Sequence, residues 1–478
     1  MNYSQFLNMI PEATMMAILI VVFIADFASS RKADRKWFNP LVCLLMLVQV
    51  VVSAVPQEST SAFGGMYVTT AAVNVMKTIL AAGTLIVIIQ SRKWLSRPDT
   101  SFKEGEFYML VISTLLGMNM MMSAGHFLMF FLGLEMASVP MACLVALDKY
   151  RHNSAEGAAK FILTATFSSG IMLYGISFIY GAAGTLYFDD LAALLTARQN
   201  LTMAIMGMVF FFSGLGFKIS LVPFHFWTAD AYQGAPTTVT GYLSVISKGA
   251  AAFTLMAILM KVFAPLTEYW THVLYILVVL TITVGNLFAI RQKDLKRFMA
   301  FSSISQAGYI MLAVIGDSTL GVAALSYYVL VYVVANLAVF TVIGVVEENN
   351  NGTTDMDAYN GFYTTNPKLS LLMTFALFSL AGIPPFAGMF SKFFVFMAAA
   401  QEGSPLTYLV VFIALVNTVV SLYYYLLIVK AMYIKKSENP LPTFKSDGNT
   451  KLALAICTAG VLLFGVCSFF YDWINMAA

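Results

Sequence analysis

Apolar residues in this chain gather into long runs; they neither alternate nor form narrow stripes. The runs fall at about 11–28, 38–55, 68–90, 106–122, 126–147, 155–180, 201–231, 236–260, 269–290, 298–316, 319–346, 368–401, 405–429 and 452–473. A helix rises about 1.5 Å per residue, so about 20 apolar residues cross the hydrocarbon of a bilayer. The pattern predicts an all-α polytopic membrane protein of about 14 transmembrane helices, called spans 1–14 below, with no soluble domain and no long linker. Residues 1–12 contain no Lys or Arg. The first run thus lacks the basic n-region of a cleavable signal peptide and is read as a retained helix.

Lysine and arginine test this count, because they concentrate in the cytoplasmic connectors of membrane proteins. Four follow span 1 (Arg31, Lys32, Arg35, Lys36), four span 3, two span 5 (Lys149, Arg151), four span 9, one span 11 and five span 13. The other side has only Arg198 and Lys261. A miscounted span would scramble this alternation from that point onward. The odd-numbered connectors are therefore expected in the cytoplasm and both termini on the outer, periplasmic side.

Composition removes whole classes of function. Of 478 residues, 59% are hydrophobic and 11% charged, which excludes both a water-soluble globule and a disordered chain. The net charge of +3 comes from scattered basic residues and gives no nucleic-acid footprint. Cys43, Cys143, Cys457 and Cys467 form no C-x-x-C pair, and His126, His152, His225 and His272 form no H-E-x-x-H pattern. No metal or redox cofactor is expected on this chain, so any redox centre would belong to another.

The candidate chemistry lies in the charges left inside the spans: Lys77, Lys160, Lys218, Lys248, Lys392 and Glu135, with Asp26 near the cytoplasmic end of span 1. A charge at the bilayer centre costs roughly 2.5–3.5 kcal/mol on insertion scales, so such residues face a polar interior and mark ion or proton paths. Lys218 and Lys248 lie too deep to reach the interface. Lys160 follows Glu156 by one turn, and an i,i+4 pair with a snorkelling stem accounts for it as well as a functional role does. Lys77 is expected to snorkel outward. Glu135 has no sequence neighbour to pair with, and a structural ion pair with a distant lysine is its alternative. The Met118–Met122 and Tyr423–Tyr425 runs read as lipid-facing or packing surface.

Two spans carry breaks. Span 7 contains Pro223 in mid-membrane and closes on Gly234 and Pro236; span 12 contains Pro384 and Pro385 between Gly382 and Gly388. Proline removes a helical hydrogen bond, and interrupted backbone survives at membrane depth only under cover of protein or water. Paired discontinuous helices point to a repeat-built transporter with a path at the midplane. The breaks are five spans apart, each with a lysine nearby (Lys218, Lys392). Spans 4–8 and 9–13 are thus expected to be two related five-helix units, and the pattern points to ion translocation.

The segments VPFHFWTADAYQGAPTTVTGYLSVISKGAA (222–251), DLKRFMAFSSISQAGY (294–309) and AGIPPFAGMFSKF (381–393) closely resemble the antiporter-like membrane subunits of complex I, the proton-pumping NADH:quinone oxidoreductase. The resemblance covers nearly the whole chain and includes three N-terminal spans expected of bacterial forms. It implies two inverted five-helix repeats with discontinuous helices 7 and 12: residues 1–105 as an N-terminal three-helix segment, 106–262 and 263–433 as the repeats, and 434–478 as a C-terminal helix. By that resemblance Glu135 pairs with Lys218, Lys248 relays protons between two half-channels, and Lys392 exchanges them with the outer side. Lys160 matches a further family lysine, His225 is expected to be a hydrogen-bonded support beside Pro223, Pro384 and Pro385, and Lys77 matches nothing. Span 11 offers only Tyr327, Tyr328, Tyr332 and Asn336, where the sibling subunit L carries a lysine and, beyond span 14, a long lateral helix. Subunit M usually has glutamate where Lys392 stands.

The resemblance implies a proton-translocating subunit of the bacterial inner membrane. NAD, FMN, iron–sulfur clusters and quinone are expected in partner subunits, and the neighbours would be subunit M and small subunits such as K and J. Moving Glu135 toward or away from Lys218 would switch that amine between holding and releasing a proton. The proton would then pass to Lys248 and Lys392 through waters and hydroxyls such as Ser244, Ser247, Ser303 and Ser305. Two other readings stay open: a subunit of a multisubunit cation/proton antiporter or membrane-bound hydrogenase, and a scaffold that pumps nothing.

Overall fold

Three of the spans start on short polar side chains. Thr70, Asp294 and Ser404 each accept a hydrogen bond from the backbone N–H three residues on, and Gly184, in left-handed conformation, ends the sixth span. The structure, a computed structural model, describes residues 3–29, 35–56, 59–148, 151–196, 200–316, 319–437, 440–467 and 469–478. Arg31, Lys32, Lys149 and Arg198 lie outside them.

Among the described residues, twelve helices are long and apolar enough to cross a membrane. The expected second span is a shorter helix, Phe38–Ala54, and the twelfth is two pieces, Pro367–Ala381 and Ala387–Ala400. Counting these two brings the spans to 14. Outside them lie a small antiparallel hairpin, Thr60–Ala62 with Tyr67–Thr69, and a short helix, Phe188–Thr196.

Ion pairs gather the connectors as the charge alternation requires. Glu348, at the end of span 11, meets Lys93 at 2.9 Å and Arg97 at 3.3 Å after span 3, and Glu347 meets Arg151 at 3.5 Å before span 6. Lys435, after span 13, lies 3.9 Å from Asp357 of the connector after span 11. These ends form one basic face. Lys261 pairs instead with Asp189 at 2.7 Å, in the connectors expected on the opposite side.

Burial is graded across the bundle. Span 10 (Leu295–Ile315) is buried at every position but Arg297, and spans 3 (Ala71–Leu95), 8 (Thr237–Lys261) and 11 (Thr319–Asn349) over most of theirs, whereas spans 1, 13 and 14 turn apolar faces outward. Where neighbours cross, glycines let backbones touch, the usual device in lipid, where apolar burial alone does not hold helices together. A Cβ on Gly117 of span 4 would lie 2.6 Å from the Ala137 nitrogen of span 5, and one on Gly133 would lie 2.6 Å from the Met121 nitrogen. Both contacts are to backbone, so no rotamer change relieves them. Gly133→Leu is therefore expected to separate spans 4 and 5 and cost at least about 1–3 kcal/mol, read as a lower unfolding temperature of the detergent-solubilised protein; an unchanged temperature would contradict this crossing.

Candidate functional site

The two breaks close in the same way. Span 7 runs as Leu201–Ile219, turns at Ser220 (φ +69°), and resumes as Phe226–Gly234; span 12 turns at Gly382 (φ +89°). In each, the N–H of the residue after the turn reaches back five residues, Leu221 to the Gly216 carbonyl at 2.8 Å and Ile383 to the Phe378 carbonyl at 3.0 Å. The backbone groups freed by the prolines are covered by protein. Trp227 Nε1 donates to the Phe217 carbonyl (3.1 Å), the Val222 N–H to Thr281 Oγ1 (3.0 Å), Gln306 Nε2 to the Leu380 carbonyl (3.2 Å) and the Gly388 N–H to Ser379 Oγ (3.1 Å).

Three of the expected lysines are buried around these breaks, each on a neutral partner. Lys218, at the end of the first half of span 7, donates to Ser138 Oγ of span 5 at 2.7 Å. Lys248 follows a π-helical segment, Leu243–Ser247, a local irregularity common at functional sites. It donates to Ser303 Oγ of span 10 at 2.7 Å and lies over the Tyr232 ring. Lys392, in the second half of span 12, donates to the Ala381 carbonyl across its own break at 3.0 Å. That carbonyl ends a half-helix and has no helical partner.

Between Lys248 and Lys392 runs a polar seam. Ser303 and Gln306 are neighbours on span 10; Gln306 receives the Tyr328 hydroxyl on its Oε1 and donates to the Tyr425 hydroxyl at 3.1 Å. Gln306, Tyr328, Tyr332 and Lys392 together line a cavity of about 10 Å³, close to the least space that holds one water. The Tyr332 hydroxyl is buried and has no protein partner. Ser244 accepts from Asn336 Nδ2 at 2.6 Å, and Ser305 Oγ is buried without a partner.

The other expected residues sit as follows. Glu135 is half-buried and its charge acts on Lys218 without an ion-pair contact; the atom that takes the amine is Ser138 Oγ, one turn further along span 5. Lys160 is 45% exposed on the flank and pairs with Glu156 at 2.6 Å, as expected, and with Asp230 at 2.7 Å. Asp230 also holds Arg297 at 2.6 Å, so Lys160 belongs to a surface network apart from the buried lysines. His225 is buried and meets the Pro223 backbone, while its Nδ1 has no geometric hydrogen-bond partner among the described residues. Met118, Met121, Met122, Tyr424 and Tyr425 are buried, and Tyr425 belongs to the seam; of the tyrosine run only Tyr423 is exposed. Gln306 and Tyr425 carried no sequence signal beyond a polar group within an apolar run.

Lys77 does not snorkel. It is 0% exposed and pairs at 2.7 Å with Glu12, itself 3% exposed, at the start of span 1. The Tyr67 hydroxyl donates to Glu12 at 2.8 Å and accepts from Lys77 at 3.1 Å. Among the described residues Glu12 is thus the one fully buried carboxylate, found only when spans 1 and 3 are brought side by side. Among the described residues no group of His, Cys, Asp and Glu is placed to hold a metal ion.

Comparison with known proteins adds a frame. A family profile described as "NADH:quinone oxidoreductase/Mrp antiporter, TM" matches residues 124–421. The chain is 57% identical to NADH-quinone oxidoreductase subunit N of Phocaeicola vulgatus over the full length of both, and 48% identical to that of Azobacteroides pseudotrichonymphae over 99% of this chain and 98% of that one. Its structure superposes on a chain of respiratory complex I from Thermus thermophilus with bound aureothin at a TM-score of 0.80, with 29% identity, covering 95% of this chain and 97% of that one. A chain of the Mrp complex from Dietzia superposes at 0.85 over 100% and 97% of the two chains but with 19% identity, a likeness of fold alone.

The Lys77 pair yields a stability prediction. Lys77→Met leaves the Glu12 carboxylate buried without its counter-charge, at a cost of about 3–5 kcal/mol. Adding Glu12→Leu should restore most of that loss. Unfolding midpoints of the single and double variants in detergent measure it, and equal midpoints for wild type and Lys77→Met would disprove the buried pair.

Proposed function

This chain belongs to the subunit N family of NADH-quinone oxidoreductase, and from that premise we propose that it carries protons across the membrane along Lys218, Lys248 and Lys392, driven by electron transfer in partner subunits. The observation that carries this reading is the partnering of those amines: three buried lysines, each held by a hydroxyl or a carbonyl and none by a carboxylate. An amine in low dielectric with a neutral acceptor can exist with or without its proton, whereas a close carboxylate favours the charged form. Glu135, one turn from Ser138, is within a small side-chain movement of playing that second part toward Lys218. Lys160, among the surface carboxylates Glu156 and Asp230, would deliver protons toward span 7 at the basic face.

The order of transfer follows the architecture. Lys218 and Lys248 lie in the first repeat (106–262) and Lys392 in the second (263–433), and the matching closure of the two breaks supports this division. From Lys248 a proton would reach Ser303, then the Gln306, Tyr328 and Tyr332 cavity, then Lys392. The second half of span 12 leads away from the basic face, which suits Lys392 for discharge on the opposite side. With the basic face in the cytoplasm, the chain would sit in the bacterial inner membrane with both termini periplasmic. NAD, FMN, iron–sulfur clusters and quinone would be held by partner subunits, with subunit M and small subunits such as K and J beside this one. The antiporter reading is set aside, because the full-length relatives at 57% and 48% identity are named as subunit N.

Removing a proton-relay group slows transfer by roughly 10²-fold or more. Lys248→Ala in the assembled enzyme, reconstituted in liposomes, is expected to lose proton pumping and coupled NADH oxidation to that extent while still assembling. Glu135→Gln should have the smaller effect, since Ser138 still holds Lys218. Wild-type pumping per NADH in Lys248→Ala would remove the relay and leave the chain a scaffold.

A further inference from the structure

The basic face holds two hollows, of about 420 and 250 Å³, that share Glu347, Asp148 and Arg151 in their walls. Glu347 ends span 11, is 14% exposed, and receives the Thr237 hydroxyl from the start of span 8. Thr237 also lines a third cavity of about 30 Å³, walled by Gln90, Phe340 and Thr341 and by the Lys93–Glu348 pair; that is room for about two waters. Gln90, on span 3, receives the Thr341 hydroxyl, and its Nε2 would be 3.7 Å from a Cβ on Gly241 of span 8. Ser244 donates to the Gly241 carbonyl at 2.8 Å and accepts from Asn336, whose Oδ1 is buried without a partner. One turn beyond Ser244 on the same face of span 8 is Lys248.

We propose that Glu347 is a second proton-uptake group of this subunit, beside the Lys160 and Lys218 entry, and that its protons travel between spans 3, 8 and 11 to Lys248. The inference rests on the reading of Lys248 as a proton carrier. In the step, the ionised carboxylate takes a proton from water at the mouth. It passes the proton through the hydroxyl and amide groups and cavity waters to the neutral Lys248 amine, which becomes ammonium, and the carboxylate returns to its ionised form.

The surroundings of Glu347 suit a group that exchanges protons with solvent. Arg151 from span 6 stands 3.5 Å away and Lys296 from span 10 stands 3.9 Å away, while Lys296 spends its shortest bond, 2.6 Å, on the Ala235 carbonyl. Arg151 is shared with Asp148 at 3.0 Å, and Glu348 on the same helix is turned to Lys93 and Arg97. Tyr359, in the connector after span 11, is raised above the ordinary tyrosine range by burial first and then by the nearby carboxylates of Glu347 and Asp294, and stays neutral. Glu347 thus has cations near it but no bidentate partner locking it. Between the mouth and Ser244, Gly241 packs against Leu337 and Phe340 with Gln90 beside them, so Gln90 is the polar group at that crossing.

The test uses the assembled enzyme in liposomes, with Glu347→Gln, Glu347→Asp and Gln90→Leu compared with Lys248→Ala. Glu347→Gln keeps an acceptor for Thr237; it should slow pumping and coupled turnover about tenfold or more and enlarge the slowing seen in deuterated water, with Glu347→Asp restoring most of the rate. Gln90→Leu, which leaves the charged network intact, should show the same loss, and it decides the route if Glu347→Gln fails to assemble. Wild-type pumping in Gln90→Leu overturns the route, and wild-type pumping in Glu347→Gln overturns the carboxylate's role. If Lys248→Ala stops pumping while both others pump normally, only this inference falls; if Lys248→Ala itself pumps normally, the relay reading beneath it falls.

Discussion

Backbone that breaks inside hydrocarbon has no water to turn to, so each freed N–H and carbonyl must find a partner within the protein. In this chain those partners are concentrated at the two breaks, and they come from the elements that line the buried path. Gln306 of span 10 covers the Leu380 carbonyl, Lys392 covers that of Ala381, and Thr281 of span 9 covers the Val222 nitrogen. The atoms that keep the broken helices tolerable are also those beside which a proton would pass. Stability and transport are therefore coupled at these positions: a change at Gln306 would loosen a break and interrupt the seam together.

The lysines separate into two physical kinds. Lys77 is buried against a carboxylate that is itself buried, with a tyrosine bonded to both. A charge so matched in low dielectric sits in a deep well, and splitting the pair leaves an expensive isolated ion. Its effect is to pin span 1 and the small hairpin to span 3. Lys218, Lys248 and Lys392 are as deeply buried but donate to neutral acceptors, and Lys218 also feels the Glu135 carboxylate without an ion-pair contact. The same residue type is thus ion-paired in one place and hydrogen-bonded to neutral groups in three others, and on the proposed relay that difference is what would let the three exchange protons.

This distinction also explains what the sequence made legible. Spans, breaks and lysine depth are local signals: an apolar run, a mid-run proline or a lone amine in an apolar helix can each be read without knowing any neighbour. Partnerships depend on helix rotation and on contacts between distant segments. Glu12 and Lys77 are 65 positions apart, so nothing local linked them, and Lys77 read as a snorkelling residue. Glu135 and Ser138 share a helix face, and which of them meets Lys218 turns on a tilt of span 5 that no spacing fixes. Tyr425 lies between an exposed and a buried neighbour in an aromatic run, which looks like packing until Gln306 is placed against it.

The breaks also carry an asymmetry that bears on direction. Both turns close with the same backbone bond, yet Lys218 precedes its turn and Lys392 follows its own. If the chain passes outward-to-inward in span 7 and back in span 12, both amines fall on the half of their helix away from the basic face. Neither then meets solvent on the basic side directly. A proton taken up there would first have to reach Lys248, which lies between them in the chain and bonds to Ser303 of span 10. Lysines set on opposite sides of the turn, in helices that run in opposite directions, thus fall on one side of the membrane, and the proposed route would be loaded from the basic face through Lys248 and discharged at Lys392.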